Sequence, residues 1–202
     1  MRPGALPLAV LAAAWSGLWP AAAQAHLVNT GIGPVYDGIA HLFVSFEDLL
    51  PVVALALLSG LNGPAAGRRS IFTLPIAWLL GGLAGAQFPG APLPVGPAAL
   101  SLLILGVLVA ADRRLAPNVV AALALTLGPA HGWHSGVATA AAGLQTAGLM
   151  GTAAAAFGLT VLLAASVVGL TRPWTRIAVR VGGSWIAASG LLLFGWTLSG
   201  RT

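Results

Sequence analysis

Seven acidic and imidazole side chains fall in two short stretches of the chain and could together bind a metal ion. They are His26, Asp37, His41, Glu47 and Asp48 in the first stretch, and His131 and His134 in the second. Imidazole nitrogens beside carboxylate oxygens suit nickel, cobalt, zinc, copper or iron, whereas calcium and magnesium prefer oxygen ligands alone. The sequence contains no cysteine, which excludes thiolate metal sites and disulfides.

The composition is that of a protein embedded in lipid. Of the 202 residues, 58% are hydrophobic and only 6% are charged, whereas a soluble domain carries about 25% charged residues. So few charges could not cover the surface of a soluble fold, which excludes a cytosolic globular enzyme and a nucleic-acid-binding module. We therefore predict an all-α fold, a polytopic bundle of transmembrane helices.

The N-terminal segment has the layout of a secretory signal peptide. Arg2 precedes an apolar run, and Ala23-Gln24-Ala25 forms an A-x-A cleavage site. We predict that residues 1–25 are a cleaved signal peptide and that residues 26–202 form one transmembrane domain; an uncleaved first helix is the alternative. After cleavage, His26 could chelate a metal through its α-amine and imidazole, or it could simply be the residue that follows the signal.

Six transmembrane helices are predicted after the signal peptide, because each needs roughly 20 mostly apolar residues. The predicted spans are residues 36–61, 71–88, 96–112, 118–135, 149–171 and 181–199. Arginines occupy alternate interior loops, at 68–69, 113–114 and 172–180. By the positive-inside rule these loops are cytoplasmic, which predicts a bacterial inner-membrane protein with its mature N-terminus outside. The net charge of +5 then reflects topology rather than nucleic-acid binding.

The ionisable residues of the first span predict a polar stripe that faces the interior of the bundle. On a straight helix, Asp37, His41 and Asp48 fall within about 40° of one another, and Glu47 is displaced by about 80–120°. His41 and Asp48 would then be about 10 Å apart along the axis, too far to bind one metal. Either the helix is broken near residues 45–51, where Pro51 removes a backbone donor, or the residues form two stations along a path.

The second stretch places two imidazoles three residues apart, on one side of a helix if the helix continues that far. Gly128, Pro129 and Gly132 predict irregular backbone around His131 and His134, of the kind that lines cavities at membrane depth. Each cluster also has a structural interpretation. Asp37 and His41 could be a hydrogen-bonded pair in the core of the bundle. Glu47-Asp48 could cap a broken helix, and the pair of His131 and His134 could be an interfacial anchor.

Two sequence motifs bring these residues together with a known family. The stretch from His41 to Asp48 resembles the motif H-P-x-x-G-x-D-H. His41 matches its first His, and Glu47 and Asp48 stand at its Asp and final His positions. Gly38 precedes His41 by three residues. The segment His131-Gly132-Trp133-His134 resembles a later H-G-x-x-H-G motif. Both motifs are found in HupE/UreJ proteins, hydrogenase- and urease-associated membrane proteins regarded as nickel or cobalt permeases.

The resemblance implies transport or handling of a divalent transition metal, nickel or cobalt first and zinc or copper as further candidates, through an outward-facing site. An aspartate in place of a histidine exchanges a nitrogen ligand for oxygen, as in a divergent subfamily. Two alternatives stay open: a zinc-dependent intramembrane hydrolase with Glu47 as general base, and a non-transporting metal-binding accessory protein. The implied partners are the lipid bilayer, the metal ion and a periplasmic or outer-membrane metal-delivery protein, with no nucleic acid.

The predicted cytoplasmic half of the bundle has few ionisable side chains within its spans. Asp112 is its one ionisable residue within a span and abuts two arginines, which we interpret as a local charge pair. No ATP-binding P-loop is present, so transport would depend on a gradient or a partner. An ion leaving the bundle would depend on backbone carbonyls and hydroxyls such as those of Thr126, Thr160 and Ser166.

Overall fold

The computed structural model describes residues 29–88, 90 and 93–199, and these contain seven α-helices and no strand. The helices are α1 (Pro34–Val44), α2 (Phe46–Leu61), α3 (Pro64–Gly85), α4 (Val95–Ala110), α5 (Pro117–Ala141), α6 (Gln145–Val168) and α7 (Pro173–Leu198). The all-α prediction is confirmed. The predicted signal peptide and His26 lie outside the described residues.

The first predicted span is broken into two helices, α1 and α2, which meet at an angle of 77°. Ser45 lies between them in an extended conformation, with φ −84° and ψ 91°. Its backbone N–H donates to the carbonyl of His41, and its own carbonyl accepts from the amides of Asp48 and Leu49. Pro51 lies inside α2 beyond the break. Of the two arrangements that the sequence allowed, the structure has the broken helix.

Helix α2 is central, since it contacts each of the other described helices. Leu55 and Leu58 on α2 pack with Leu102 and Leu105 of α4 in a single buried apolar cluster, and Trp78 of α3 joins them. At the N-terminus of α2, the side chain of Asp48 meets residues of α1 and α5.

Helices α3 and α5 approach each other closely through glycines. A Cβ added at Gly81 would overlap the backbone of Pro129, and one added at Gly132 would overlap the carbonyl of Trp78. Small residues allow helix backbones to pack at this distance in membranes. The expectation of irregular backbone around the histidines of α5 is therefore wrong. The helix runs unbroken through Pro129 and Gly132 to Ala141 because its glycines serve the contact with α3.

Glycines also allow close backbone contact in two other helix pairs. In the α4–α7 pair, a Cβ at Gly106 would overlap the backbone of Ala187. In the α1–α6 pair, a Cβ at Gly38 would overlap the carbonyl of Gly148. Helix α1 is thereby fixed against α6, while the break at Ser45 turns α2 into the centre of the bundle.

The arginines that were predicted in loops lie near one end of the bundle, but Arg68 and Arg69 belong to the start of α3, and Arg176 and Arg180 to the start of α7. Arg176 at the start of α7 donates to both carboxylate oxygens of Asp112, at 2.6 and 2.7 Å, and to the carbonyl of Leu61 at the end of α2, at 3.3 Å. The backbone N–H of Leu115 donates to the side-chain oxygen of Asn62 at 2.6 Å. The interpretation of Asp112 as paired with its sequence neighbours is therefore corrected: its partner is Arg176, which the fold brings from another helix.

Two described helices are long and apolar enough to cross a membrane by length and composition, namely residues Thr146–Val168 of α6 and the whole of α7. The bent α1–α2 pair would make a third, and α4 is a shorter apolar helix. Several boundaries differ from the predicted ones; α5, for example, continues past residue 135 to Ala141. The six-span bundle stays a prediction.

Candidate functional site

Asp48 lies between two histidines in the interior of the bundle. Its Oδ2 is 3.8 Å from Nε2 of His41, and its Oδ1 is 3.6 Å from Nδ1 of His131. The three residues are buried, with exposed fractions of 4% for Asp48, 5% for His41 and 2% for His131. The break at Ser45 makes this possible, because a straight helix would hold His41 and Asp48 about 10 Å apart.

Three serines surround this group, which we name the His–Asp–His cluster (His41, Asp48 and His131). Ser135 donates a hydrogen bond to Oδ2 of Asp48 at 2.9 Å. Ser101 of α4 is 3.0 Å from Nε2 of His131, and Ser45 is 3.4 Å from Nδ1 of His41. All three serines are buried. Each cluster residue is thus oriented by a hydroxyl.

An aromatic ring fixes the plane of one imidazole. Trp78 of α3 stacks on His131 with ring centroids 5.8 Å apart and an interplanar angle of 16°. Trp78 is fully buried, and its indole nitrogen has no hydrogen-bond partner among the described residues. The close contact of Gly132 with the carbonyl of Trp78 places these two rings at the same level of the α3–α5 pair.

A cavity of about 340 Å³ opens beside the His–Asp–His cluster, and Glu47 and His134 also line it. Glu47 is exposed and His134 is half-buried. The same two side chains line a wider hollow of about 660 Å³, together with Pro94 and Thr197. Glu47 and His134 therefore stand between an outer hollow and the buried cluster.

The contacts within the cluster are pairwise. Among the described residues, no three histidine or carboxylate side chains are close enough to one another to hold a metal ion as they stand. Two ligands of a tetrahedral ion at about 2.1 Å lie about 3.4 Å apart, slightly less than the two distances that Asp48 makes. The donor types fit a transition metal, and a bound ion would draw the imidazoles toward the carboxylate.

The predicted site residues are not all brought together. Asp37 lies outside the cavity lining, and its Oδ1 accepts hydrogen bonds from the backbone N–H and the hydroxyl of Thr30, both at 2.6 Å. Its local role is to fix the segment that enters α1. His26 lies outside the described residues. His41, Glu47, Asp48, His131 and His134 share one cavity.

The sequence did not single out the residues that surround the cluster. Ser101 and Trp78 belong to α4 and α3, which contain no ionisable residue of the site, and neither residue forms part of a motif. Ser135 could have been found, because on a helix it follows His131 by four residues and so shares its face.

The cluster and the arginine loops lie at opposite ends of the same helices. Asp48 is in the first turn of α2 and Ser101 is in the first half of α4, whereas Leu61 ends α2 and Asp112 follows α4. The carbonyl of Leu61 and the carboxylate of Asp112 both accept from Arg176. The histidines and the cationic residues are therefore separated by the length of the bundle.

The sequence matches the HupE / UreJ protein family over residues 13–193, most of the chain. The chain belongs to the HupE/UreJ family. Membership makes it a membrane protein related to nickel or cobalt handling and to hydrogenase or urease accessory functions. No curated protein and no solved structure matches the chain.

Proposed function

We propose that this HupE/UreJ protein conducts a divalent transition-metal ion, nickel or cobalt, across the bacterial inner membrane through the His–Asp–His cluster. The observation that carries the proposal is Asp48, a carboxylate buried between two imidazoles at the bottom of an open cavity. A buried charge is costly unless it is paired or binds a metal. A cation bound between the carboxylate of Asp48 and the two imidazoles would compensate that charge.

The charges of the cavity suit a divalent ion. Glu47 and Asp48 carry two negative charges when ionised, and the histidines supply neutral nitrogen ligands. An ion would meet Glu47 and His134 first, because these are the more accessible pair, and would then move inward to Asp48, His41 and His131. The metal is the cargo in this scheme, not a resident cofactor.

The arginines at the end of the bundle remote from the cavity, which we call the arginine end, support a path that leads from the periplasm toward the cytoplasm. The positive-inside rule assigns the loops around Arg68, Asp112 and Arg176 to the cytoplasm, so the cavity would open to the periplasm. Toward the arginine end, the buried hydroxyls of Ser59 on α2 and Ser70 on α3 lie 2.7 Å apart, and Thr160 of α6 is also buried. Thr126 and Ser166, named from the sequence, are exposed. The inward hydroxyls for an exit path are therefore Ser59, Ser70 and Thr160.

Uptake of Ni²⁺ and Co²⁺ into proteoliposomes tests the proposal. We expect saturable uptake by the wild type and its loss in Asp48→Asn, which removes the charge and keeps the size of the side chain. Glu47→Gln should weaken uptake less, because Glu47 is exposed. Ser166→Ala, at an exposed position on α6, is the control and should transport normally. Uptake that persists in Asp48→Asn would contradict the proposed path.

The arrangement of Ser101, His131 and Asp48 supports a second candidate function. Their order is that of a serine–histidine–aspartate triad, with Ser101 Oγ 3.0 Å from Nε2 of His131 and Asp48 on the Nδ1 side of the ring. An intramembrane hydrolase would use Ser101 as its nucleophile. A zinc-dependent hydrolase, with Glu47 as general base, remains the alternative within the enzyme class. Covalent labelling of Ser101 by a fluorophosphonate would favour the serine hydrolase over the permease.

A further inference from the structure

We propose that Ser101 is a positioning residue that fixes the tautomer of His131, so that a metal ion is bound through Nδ1 of that imidazole. The proposal rests on the proposed metal-binding function of the cluster and extends it to a residue on α4. It starts from two contacts made by the Ser101 hydroxyl, 2.7 Å to the carbonyl of Ala98 and 3.0 Å to Nε2 of His131.

One hydroxyl hydrogen must serve these two contacts. A serine hydroxyl has a single O–H donor and two acceptor lone pairs. The carbonyl of Ala98 can only accept, so the 2.7 Å contact is a hydrogen bond only if the hydrogen of Ser101 points toward Ala98. The contact with His131 is then satisfied only if Nε2 carries a hydrogen and donates it to Ser101. This assignment leaves His131 protonated at Nε2.

The other nitrogen of His131 is bare in this tautomer. A neutral imidazole carries one N–H and one lone pair, so Nδ1 offers its lone pair toward Asp48. Its distance of 3.6 Å from Oδ1 of Asp48 is longer than a hydrogen bond. Nδ1 of His131 and Oδ1 of Asp48 are then two electron-pair donors that face each other. A cation between these two atoms would be bound by both.

The surroundings hold the ring in this orientation. Trp78 stacks on one face of His131, and Ser101 accepts from the edge opposite Asp48. Histidines that bind metals usually donate their second N–H to an outer partner, which fixes the tautomer, and loss of that partner weakens metal binding by about 10- to 100-fold. Ser101 is that partner for His131.

The hydrolase alternative requires the opposite tautomer. In a catalytic triad the hydroxyl of serine donates to Nε2, and Nδ1–H donates to the aspartate. The two functions therefore predict different protonated nitrogens on the same ring. The tautomer of His131 can be measured without any turnover.

The test is ¹⁵N NMR of histidine-labelled full-length protein in nanodiscs, above the ordinary histidine pKa of about 6.5, with Ni²⁺ binding measured on the same samples. The chain has four histidines, so His131→Gln assigns the signal. We expect an Nε2-protonated ring in the wild type. In Ser101→Ala we expect a mixed tautomer and about 10- to 100-fold weaker Ni²⁺ binding. Ser101→Thr keeps the hydroxyl and should restore both, and Ser166→Ala should change neither.

Each other result overturns the inference in a recognisable way. An unchanged tautomer in Ser101→Ala, with Ni²⁺ binding intact, would remove the role of Ser101 and leave the proposed permease standing. An Nδ1-protonated ring in the wild type would overturn the inference and favour the hydrolase. Absence of Ni²⁺ binding by the wild type would overturn the proposed function itself, and the role of Ser101 with it.

Discussion

At the scale of single residues, the fold gives two similar carboxylates different surroundings. Asp37 and Asp48 are both buried near a histidine of α1. Asp37 is satisfied by two donors from Thr30, whereas Asp48 has the hydroxyl of Ser135 and two imidazole nitrogens beyond hydrogen-bond distance. Of these two carboxylates, Asp48 is the one that lies beside both an open cavity and imidazole nitrogens that could bind a metal ion. The proposed ion path therefore runs through Asp48.

Trp78 allows a test of what the stacked ring contributes. Trp78→Phe keeps an aromatic face against His131 and removes an indole N–H that has no partner among the described residues. A buried donor without a partner costs about 1–3 kcal/mol, which offsets the lost volume. We therefore expect Trp78→Phe to retain stability and Ni²⁺ binding. Trp78→Leu should weaken Ni²⁺ binding, measured by calorimetry, because the ring of His131 is no longer held flat.

The comparison of the two variants separates stacking from packing. Both shorten the same buried side chain, so equal loss of Ni²⁺ affinity in Trp78→Phe and Trp78→Leu would mean that volume, not the aromatic face, supports His131.

The sequence singled out the ionisable residues of the candidate site but not the serine and tryptophan side chains beside them. His41, Asp48 and His131 stand out because ionisable residues are rare in so apolar a chain. Ser101 and Trp78 do not, since hydroxyls and indoles occur throughout the chain and only the packing of α3 and α4 against α5 selects these two. Asp37 was included because it shares a helical stripe with His41, but Thr30 takes up its carboxylate.

At the scale of helices, the break at Ser45 was one of two arrangements that the sequence left open. The spacing of His41 and Asp48 required a break if the two were to meet, but only the structure locates it at Ser45. The continuity of α5 through Pro129 was not predictable from local preferences. Tertiary contact with α3 decides it, because the glycines that weaken a helix alone are the ones that admit the neighbouring backbone.

The glycine contacts between α3 and α5 predict a sharp contrast between two substitutions. Gly81→Ala adds a methyl group that overlaps the backbone of Pro129, and overpacking of this kind costs about 1–3 kcal/mol. Gly158→Ala on α6 meets nothing within 4 Å and should stabilise its helix by about 0.5–1 kcal/mol. Unfolding in detergent, followed by tryptophan fluorescence, measures both free energies.

Ni²⁺ binding extends this prediction to the site. Displacement of α5 from α3 moves His131 away from Trp78, so Gly81→Ala should also weaken Ni²⁺ binding, whereas Gly158→Ala should not. Normal stability of Gly81→Ala would show that the α3–α5 contact is looser than the structure has it.

At the scale of the whole molecule, the ion pair of Arg176 and Asp112 lies at the end of the bundle remote from the cavity. Hydrogen bonds from Arg176 hold the pKa of the Asp112 carboxyl below its ordinary value. Its stabilising contribution is therefore present above the unfolded pKa of about 3.9 and is lost as the pH falls through the lowered folded value. Asp112 has φ 50°, a conformation that asparagine also tolerates, so Asp112→Asn removes the charge without straining the backbone.

We expect Asp112→Asn to unfold at a lower temperature than the wild type at neutral pH, with a deficit of up to about 1 kcal/mol. The two proteins should converge in acid, where the wild-type carboxylate is protonated. Thermal unfolding in detergent across the acidic range measures this. A gap that stays constant at every pH would mean that Asp112 acts through something other than its charge.

The absence of cysteine makes the topology directly testable. Gln87 follows α3 at the cavity end, and Thr171 precedes α7 at the arginine end; both are exposed. With the cavity open to the periplasm, a membrane-impermeant maleimide should label Gln87→Cys in intact cells and Thr171→Cys only after the membrane is opened. The reverse pattern would place the arginines outside, contrary to the positive-inside rule.

The bend at Ser45 also shapes the electric field inside the cavity. An α-helix carries about half a positive charge at its N-terminus and half a negative charge at its C-terminus. The break brings the negative end of α1 and the positive end of α2 together beside the His–Asp–His cluster. Left alone, the start of α2 would repel a cation; Glu47 and Asp48 in its first turn reverse that sign. A single interruption of one helix thus gives an entering cation two attractive helix ends, in a part of the membrane where an unbroken helix would present none.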